Sequence, residues 1–191
     1  MKIIKNKAGF TLLEIIISLS LFVIIIILVS DAYQVMQRAY NKNSNIAELT
    51  QNARVSIDRI ARELRQSSGI TASLPETDTD PMNPPPSEIF FQDGHEVSQI
   101  TYLRYYLSGT DLMRQHKAYY FESDPLVYVT YNSLGPGGEP PLERILEDRI
   151  IGEYFSDLKF WGANGLINIS LGLSKNINNF SIKTSIFLRN H

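Results

Sequence analysis

The residues of this chain that could carry acid–base or metal chemistry are few and widely separated. Three histidines occur, and their spacing fits neither a metal-ligand motif nor a catalytic triad: His95, His116 and His191. Glu147 and Asp148 are adjacent carboxylates, but no companion residue for general acid–base catalysis accompanies them, so we interpret them as solvated surface charge. The sequence therefore predicts a protein that is not an enzyme, with no catalytic residue and no cofactor.

A second group of polar side chains lies in the proline-rich stretch at 71–87. Asp78, Asp80 and Asn83 carry oxygen atoms of the kind that calcium accepts as ligands. Calcium loops need more oxygen ligands and usually a turn-forming glycine, and this stretch contains no glycine. We interpret the stretch as an irregular loop without a metal.

One carboxylate is unusual because of its surroundings. Glu14 lies near the start of an apolar run from Phe10 to Val29. A charged residue at the centre of a bilayer costs about 2.5–3.5 kcal/mol on insertion scales. Glu14 therefore needs either a position near water or a partner of opposite charge.

The composition of the 191 residues restricts the function classes. Apolar residues make up 43% of the chain and are concentrated in the first thirty positions. A formal net charge of −2 argues against nucleic-acid contact, which requires a basic face. The absence of cysteine excludes a disulfide framework and a cysteine-based metal site.

The amino-terminal segment has the length and composition of a membrane span. Lys2, Lys5 and Lys7 form a basic leader, and the apolar run after it would span about 30 Å as a helix. The lysines precede the run and Asp31 follows it. The positive-inside rule therefore predicts a cytoplasmic amino terminus and an exported remainder.

Two simpler interpretations of this segment compete. It could be a signal peptide cleaved after the small-x-small sequence Ser-Asp-Ala at 30–32, which would leave Tyr33 first, or an uncleaved signal anchor. Neither interpretation explains Glu14, nor the abrupt change from polar to apolar residues at Gly9–Phe10.

The sequence GFTLLE at Gly9–Glu14 resembles the prepilin processing motif of type IV pilins and type II secretion pseudopilins. The resemblance implies that a membrane-embedded prepilin peptidase cuts between Gly9 and Phe10 and methylates the new amino terminus at Phe10. It also implies that Glu14 faces the charged amino terminus of a neighbouring subunit, an attraction that is strong once both groups are desolvated. The alternative is that Glu14 lies near the cytoplasmic interface, about 6 Å along the helix from Phe10, and is solvated there.

The region after the apolar run predicts an amphipathic helix. Residues 32–66 contain no proline or glycine, and one apolar stripe has helical spacing: Ile46, Leu49, Ala53, Ile57, Ile60 and Leu64. The pattern predicts one continuous helix from Phe10 to about Ser67, weakest at the polar residues 41–45. The stripe is expected to pack on the following domain, and the charged residues between, Glu63 among them, are expected to face water.

The remaining sequence is rich in β-branched and aromatic residues in alternation. The predicted strands are Glu88–Gln92, Gln99–Leu107, Leu112–His116, Leu126–Tyr131, Leu158–Trp161, Leu166–Leu173 and Phe180–Leu188. Asp93-Gly94 and Asn164-Gly165 are turn signals, and the second is predicted to join two strands in a hairpin. The sequence LERILEDRI at 142–150 is expected to form one short helix or an irregular crossover.

These elements predict an α+β fold, with one long amino-terminal helix packed on an antiparallel sheet, as in pilins. The predicted organisation is a leader at 1–9, a transmembrane and assembly helix at 10–30, its amphipathic continuation at 31–68, and an exported β-rich domain at 69–191. More loosely, the segments RELRQSSGI, ITYLRYYLSGTDLMRQ and FLRN resemble minor pilins of the PilW and J-pseudopilin type.

The resemblance implies a structural subunit of a type IV pilus or a type II secretion filament, in initiation or at the tip, serving protein secretion, adhesion or DNA uptake. Its implied partners are the prepilin peptidase and methyltransferase, other pilin or pseudopilin subunits, the membrane and an inner-membrane assembly platform. The alternative function is an exported binding module held by a simple signal anchor.

Overall fold

The computed structural model describes residues 9–71, 73–95 and 99–189, and the structural statements below refer to these residues. The chain divides into two compact units, Met1–Ser44 and Asn45–His191, which are described separately. Across the described ranges the elements are one long α-helix followed by nine β-strands in two antiparallel sheets. The predicted α+β class is confirmed.

The helix α1 spans Leu12–Gln66. Residues 41–45 are helical, so the expected weak point does not interrupt the helix, and the end at Gln66 lies close to the predicted one. In the first unit the apolar side chains from Leu12 to Val29 are exposed. By length and composition this helix could cross a membrane.

In the second unit the carboxyl-terminal part of α1 buries one face. Its buried apolar residues are Leu49, Ala53, Ile57, Ile60, Ala61 and Leu64. The predicted stripe is therefore confirmed from Leu49 onwards, with Ile46 half-buried. The expectation for Glu63 is wrong, because its side chain is buried with the stripe and pairs with a cation on the sheet.

The strands of the first sheet are β1 (Gly69–Ile70), β2 (Ile89–Gln92), β3 (Thr101–Ser108), β4 (Asp111–Phe121), β5 (Asp124–Val129) and β6 (Leu142–Gly152). The order is β1-β2-β3-β4-β5, and β6 pairs with β4. The second sheet contains β7 (Phe155–Trp161), β8 (Leu166–Lys175) and β9 (Asn178–Phe187), in that order.

The helix stripe and residues from both sheets form one hydrophobic core. Alternation along β3 places Leu103 and Tyr105 in this core and directs Tyr102 to the opposite face. There Tyr102 packs against Phe90, Tyr119 and Tyr131, with ring centroids 5.1–5.7 Å away. The backbone N–H of Tyr131 also donates to the hydroxyl of Tyr102, so this aromatic cluster is a second small core.

Two predictions about the sheet region are wrong. The β region forms two sheets instead of one, and residues 142–150 lie in the strand β6. The apolar residues of this stretch have helix-like spacing, yet the register between β6 and β4 shifts between His116 and Lys117 and again between Leu112 and Met113. Each shift is a β-bulge that offsets the alternation by one residue, which disguises the strand in the sequence.

The two turn signals have different outcomes. Leu166 N–H donates to the carbonyl of Ala163, with Asn164 at φ 53° and Gly165 at φ 79°, as in a type I′ turn. This turn joins β7 to β8, as predicted. Gly94 instead follows β2 beside the end of α1, where a Cβ atom would lie 1.9 Å from the carbonyl oxygen of Gln66. That glycine permits a close backbone approach.

Candidate functional site

The amino-terminal motif lies at the start of α1. Gly9 and Phe10 precede the helix and are exposed, and Glu14 lies in its first turn. Lys2, Lys5 and Lys7 of the predicted leader lie outside the described residues, as does His191.

Glu14 and Thr11 form a reciprocal capping box. The Glu14 carboxylate accepts a hydrogen bond from the Thr11 backbone N–H at 2.9 Å and from the Thr11 hydroxyl at 3.0 Å. The Thr11 Oγ1 atom in turn accepts from the Glu14 N–H at 3.3 Å. This arrangement satisfies backbone donors that the first helical turn leaves unpaired. Sequence analysis missed Thr11, although the T-x-x-E spacing at 11–14 is the known signal.

The surroundings of Glu14 on the helix are apolar. A shallow depression is lined by Phe10, Glu14, Ile15, Ser18, Leu19 and Phe22. The apolar side chains of this stretch are exposed within their unit. A contiguous apolar surface of this size marks contact with a membrane or with other proteins.

A second polar cluster is buried in the domain and was not predicted. The Nε atom of Arg114 on β4 lies 3.1 and 3.0 Å from the two carboxylate oxygens of Glu63 on α1. Its Nη1 atom lies 2.6 Å from Glu147 on β6, and the Tyr105 hydroxyl donates to Glu63 at 2.5 Å. The helix and three strands of the first sheet thus meet at one ionic cluster. Alternation from Leu112 places Arg114 on the core face, and this was the available sequence signal.

The protonation states in this cluster follow from burial and charge. Burial and the neighbouring charge of Glu63 raise the pKa of Tyr105, which therefore stays a neutral donor. Burial opposes the charge on Arg114, but its hydrogen bonds and attraction to Glu63 outweigh burial and raise the pKa of Arg114. The cluster therefore contains a buried ion pair of Glu63 and Arg114, which Glu147 extends, and the pair holds the helix to the sheet.

Two of the histidines are brought together, contrary to the expectation of scattered positions. The Nδ1 atom of His95 lies 2.7 Å from one carboxylate oxygen of Asp93, and the Nε2 atom of His116 lies 3.9 Å from the other. Within the described ranges, no three His, Cys, Asp or Glu side chains are grouped in a way that could hold a metal ion.

Acidification is expected to destabilise the domain through His116. Burial lowers the pKa of His116, and the attraction of Asp93 only partly opposes this. Because the unfolded chain protonates this histidine near its ordinary value of 6.5 and the folded chain at a lower pH, stability is lost as pH falls below about 6.5. Urea unfolding of the full chain in detergent, followed by the fluorescence of its single tryptophan, should show this loss between about pH 7.5 and about pH 5.5.

The His116→Gln variant should lose that part of the pH dependence. A wild-type protein that gained stability over the same interval would contradict the assignment, since it would require a raised pKa in the folded state.

The remaining candidate carboxylates have local partners. Glu147 and Asp148 face opposite sides of β6, with Glu147 paired to Arg114 and Asp148 accepting from Gln115 at 3.0 Å. In the proline-rich loop Asp78 pairs with Lys183 at 3.0 Å, and Asp80 accepts from the Met82 backbone N–H. These candidate carboxylates therefore lie in three separate places, which are the two faces of β6 and the proline-rich loop.

The comparison with protein families gives one match. Residues 4–30 match the family model of the prokaryotic N-terminal methylation motif, which covers residues 4–9 of the leader, Phe10 and Glu14. No curated protein and no solved structure matches the chain. The matched motif is followed by an apolar helix that fits the membrane anchor of a prepilin-type protein.

Proposed function

We propose that the chain is a prepilin-processed structural subunit, a minor pilin or pseudopilin, of a type IV pilus or type II secretion filament. The observation that carries the proposal is the methylation motif at residues 4–30, which runs into a helix whose apolar side chains from Leu12 to Val29 are exposed within the first unit. A filament built from such helices would cover these side chains by helix-to-helix packing.

In this proposal a prepilin peptidase and methyltransferase cuts between Gly9 and Phe10 and methylates the amino group of Phe10. Because the leader carries three lysines and no acidic residue, its removal takes the formal net charge from −2 to −5. The loss of these cytoplasmic charges eases extraction of the helix from the membrane. The chain contacts an inner-membrane assembly platform, and a separate assembly ATPase drives that extraction.

The segment 10–30 acts first as a single membrane span and then as the assembly helix. The amino terminus lies in the cytoplasm, and the segments 31–68 and 69–191 lie in the periplasm or outside the cell. The subunit acts in filament initiation or at the tip, and the filament serves protein secretion, adhesion or DNA uptake.

Glu14 has the assembly role in this proposal. The mature chain carries a positive amino group at Phe10, and the Glu14 carboxylate of a neighbouring subunit neutralises it inside the apolar bundle. Within one chain Glu14 already accepts two hydrogen bonds from Thr11. Assembly therefore exchanges a local cap for an intersubunit ion pair, and an unpaired charge in the bundle disfavours a wrong register.

The experiment is intact mass and amino-terminal sequencing of the full chain after co-expression with a prepilin peptidase. The expected product begins at Phe10 and carries one additional methyl group. A product that begins at Met1 or at Tyr33 would refute the proposal. A start at Met1 would instead favour an exported binding module on an uncleaved signal anchor, in which Glu14 has only its capping role. A start at Tyr33 would favour an exported module released by signal-peptide cleavage.

A further inference from the structure

The edge strands of the two sheets are kept from pairing with other chains in different ways. In the described chain, β1 has only two residues, β5 has six and includes Pro125, and β9 presents Lys183 on its outer face. The edge of β7 is covered by the proline-rich loop, because Phe160 and Gly162 donate to the carbonyls of Pro86 and Pro75 at 3.2 and 2.8 Å. Short strands, proline, lysine and covering loops are the devices that keep sheet edges from pairing with other chains.

The strand β6 lacks most of these devices. It has eleven residues, contains no lysine or proline, and pairs only with β4 among the described strands. Its outer row of backbone N–H and C=O groups is therefore available for pairing. Four apolar side chains on it are also exposed: Leu142, Ile145, Leu146 and Ile150. The two bulges interrupt the row of outer backbone groups but do not cover them.

The contacts of β6 with its own sheet define its two faces. Glu143 contacts Lys117 and Asp148 contacts Gln115, whereas Glu147 contacts Arg114 on the core face. The register places Arg144 opposite Ala118 and Glu147 opposite His116, so Arg144 and Glu147 share that core face. The bulge between them, near Leu146, keeps both on one side although they are three positions apart.

Arg149, the other cation of β6, pairs with Glu147 at 3.0 Å, whereas Arg144 has no opposite charge within the described ranges. The Arg144 guanidinium lies 4.3 Å from the ring centroid of Tyr120 and 3.4 Å from the carbonyl of Pro125. Glu147, which lies on the same face, contacts Arg114 through one carboxylate oxygen and Arg149 through the other, and 38% of its side chain stays exposed to a further cation.

We propose that β6 is a homotypic docking strand, which pairs antiparallel with β6 of a second copy of this chain about a twofold axis at the Leu146 bulge. In this register Arg144 of each copy lies opposite Glu147 of the other, and Ile145 and Leu146 meet their counterparts at the axis. A twofold interface uses the same patch on both copies, so each complementary pair is formed twice.

Charge selects this register over its neighbours. Sliding one copy by two residues in one direction places Arg144 opposite Arg149 of the other copy and Glu147 opposite the Glu147 of the other copy. Sliding it by two residues in the other direction places the Arg144 residues of the two copies opposite each other. Like charges directly opposite each other destabilise a sheet. The chosen register also sets Glu143 opposite Asp148, and the Lys117 cation beside Glu143 reduces this repulsion, whereas Asp148 keeps only its hydrogen bond from the neutral Gln115.

This inference goes beyond the proposed filament role, because it depends only on the sheet of the second unit.

The chain contains no cysteine, so single-cysteine variants of the full chain in detergent report contacts directly. Leu146→Cys at the axis is expected to form a disulfide-linked dimer, since opposite Cα atoms on paired strands lie about 5 Å apart.

Ile150→Cys is the matched control on the same strand. In the proposed register the two Ile150 positions lie about 26 Å apart, far beyond the reach of a disulfide. Equal cross-linking at 146 and 150 would indicate nonspecific collision through the apolar helices and overturn the proposal. Cross-linking at neither position, with wild-type tryptophan fluorescence, would also overturn it.

Charge reversal tests the register itself. Adding Arg144→Glu to Leu146→Cys sets two carboxylates opposite each other at both pairs and is expected to reduce cross-linking roughly tenfold. Arg54→Glu, on the exposed face of α1, is the matched charge reversal and should leave cross-linking unchanged. Equal cross-linking in these two variants would overturn the proposed pairing of Arg144 with Glu147.

Discussion

Replacing Arg114 with methionine is expected to lower the free energy of unfolding by about 3–5 kcal/mol, because it leaves the buried Glu63 carboxylate without its cation. The remaining contacts of Glu63 are the Tyr105 hydroxyl, which is neutral, and a long 3.5 Å contact with Arg59, neither of which replaces the buried Arg114 cation. Urea unfolding of the full chain in detergent at pH about 7, followed by Trp161 fluorescence, would measure the loss.

The matched control for this variant removes both charges. In Glu63→Leu combined with Arg114→Met, no buried charge remains unpaired, so we expect the double variant to be clearly more stable than Arg114→Met alone. If the two variants were equally destabilised, the cost would lie in lost packing of the arginine side chain. The ionic cluster would then contribute no coupling between the helix and the sheet.

Replacing Glu14 with glutamine is expected to reduce incorporation of the subunit into filaments by about 100-fold, if the proposed function holds. Glutamine at the third helical position can still form a capping box, so this variant removes the charge and keeps the cap. The proposed partner, the amino group at Phe10 of a neighbouring chain, would then be buried without a counter-charge. Immunodetection of the subunit in sheared filament fractions, relative to membrane fractions, would measure incorporation.

The matched variant is Thr11→Ala, which removes the side chain of the cap and keeps the charge of Glu14. It should cost the helix about 1 kcal/mol and affect incorporation much less than Glu14→Gln. The opposite ranking, with Thr11→Ala the more damaging variant, would assign Glu14 to capping. Amino-terminal processing should be measured in both variants, so that a failure of cleavage is separated from a failure of assembly.

The parts of the fold that sequence analysis predicted depend on local periodicity. The stripe from Leu49 to Leu64 and the type I′ turn at Asn164-Gly165 are such cases, because a single helix face or a two-residue turn specifies them. The strand β6 was missed because its two bulges break the alternation on which strand prediction depends. The division into two sheets was missed because pairing between distant strands leaves no local signal.

The residues of the candidate sites show the same difference between local and nonlocal sequence signals. Glu14 was predicted because a carboxylate in an apolar run is locally anomalous, whereas Glu63 is one of several charges on an amphipathic helix and has no local signature. Its burial depends on Arg114, which is distant in sequence and reaches it only through the pairing of β3 with β4. The meeting of His95 and His116 at Asp93 is equally nonlocal.

The core of the second unit includes Leu49 on the helix and Ile186 on the last strand. A ribosome makes the helix stripe first, and the strands that cover it follow over more than a hundred residues. Until β7–β9 have emerged, the stripe has no complete cover and its burial must wait for contacts distant in sequence. The order of synthesis therefore leaves an amphipathic helix exposed early, and a holding chaperone or the membrane surface would protect the nascent chain during that interval.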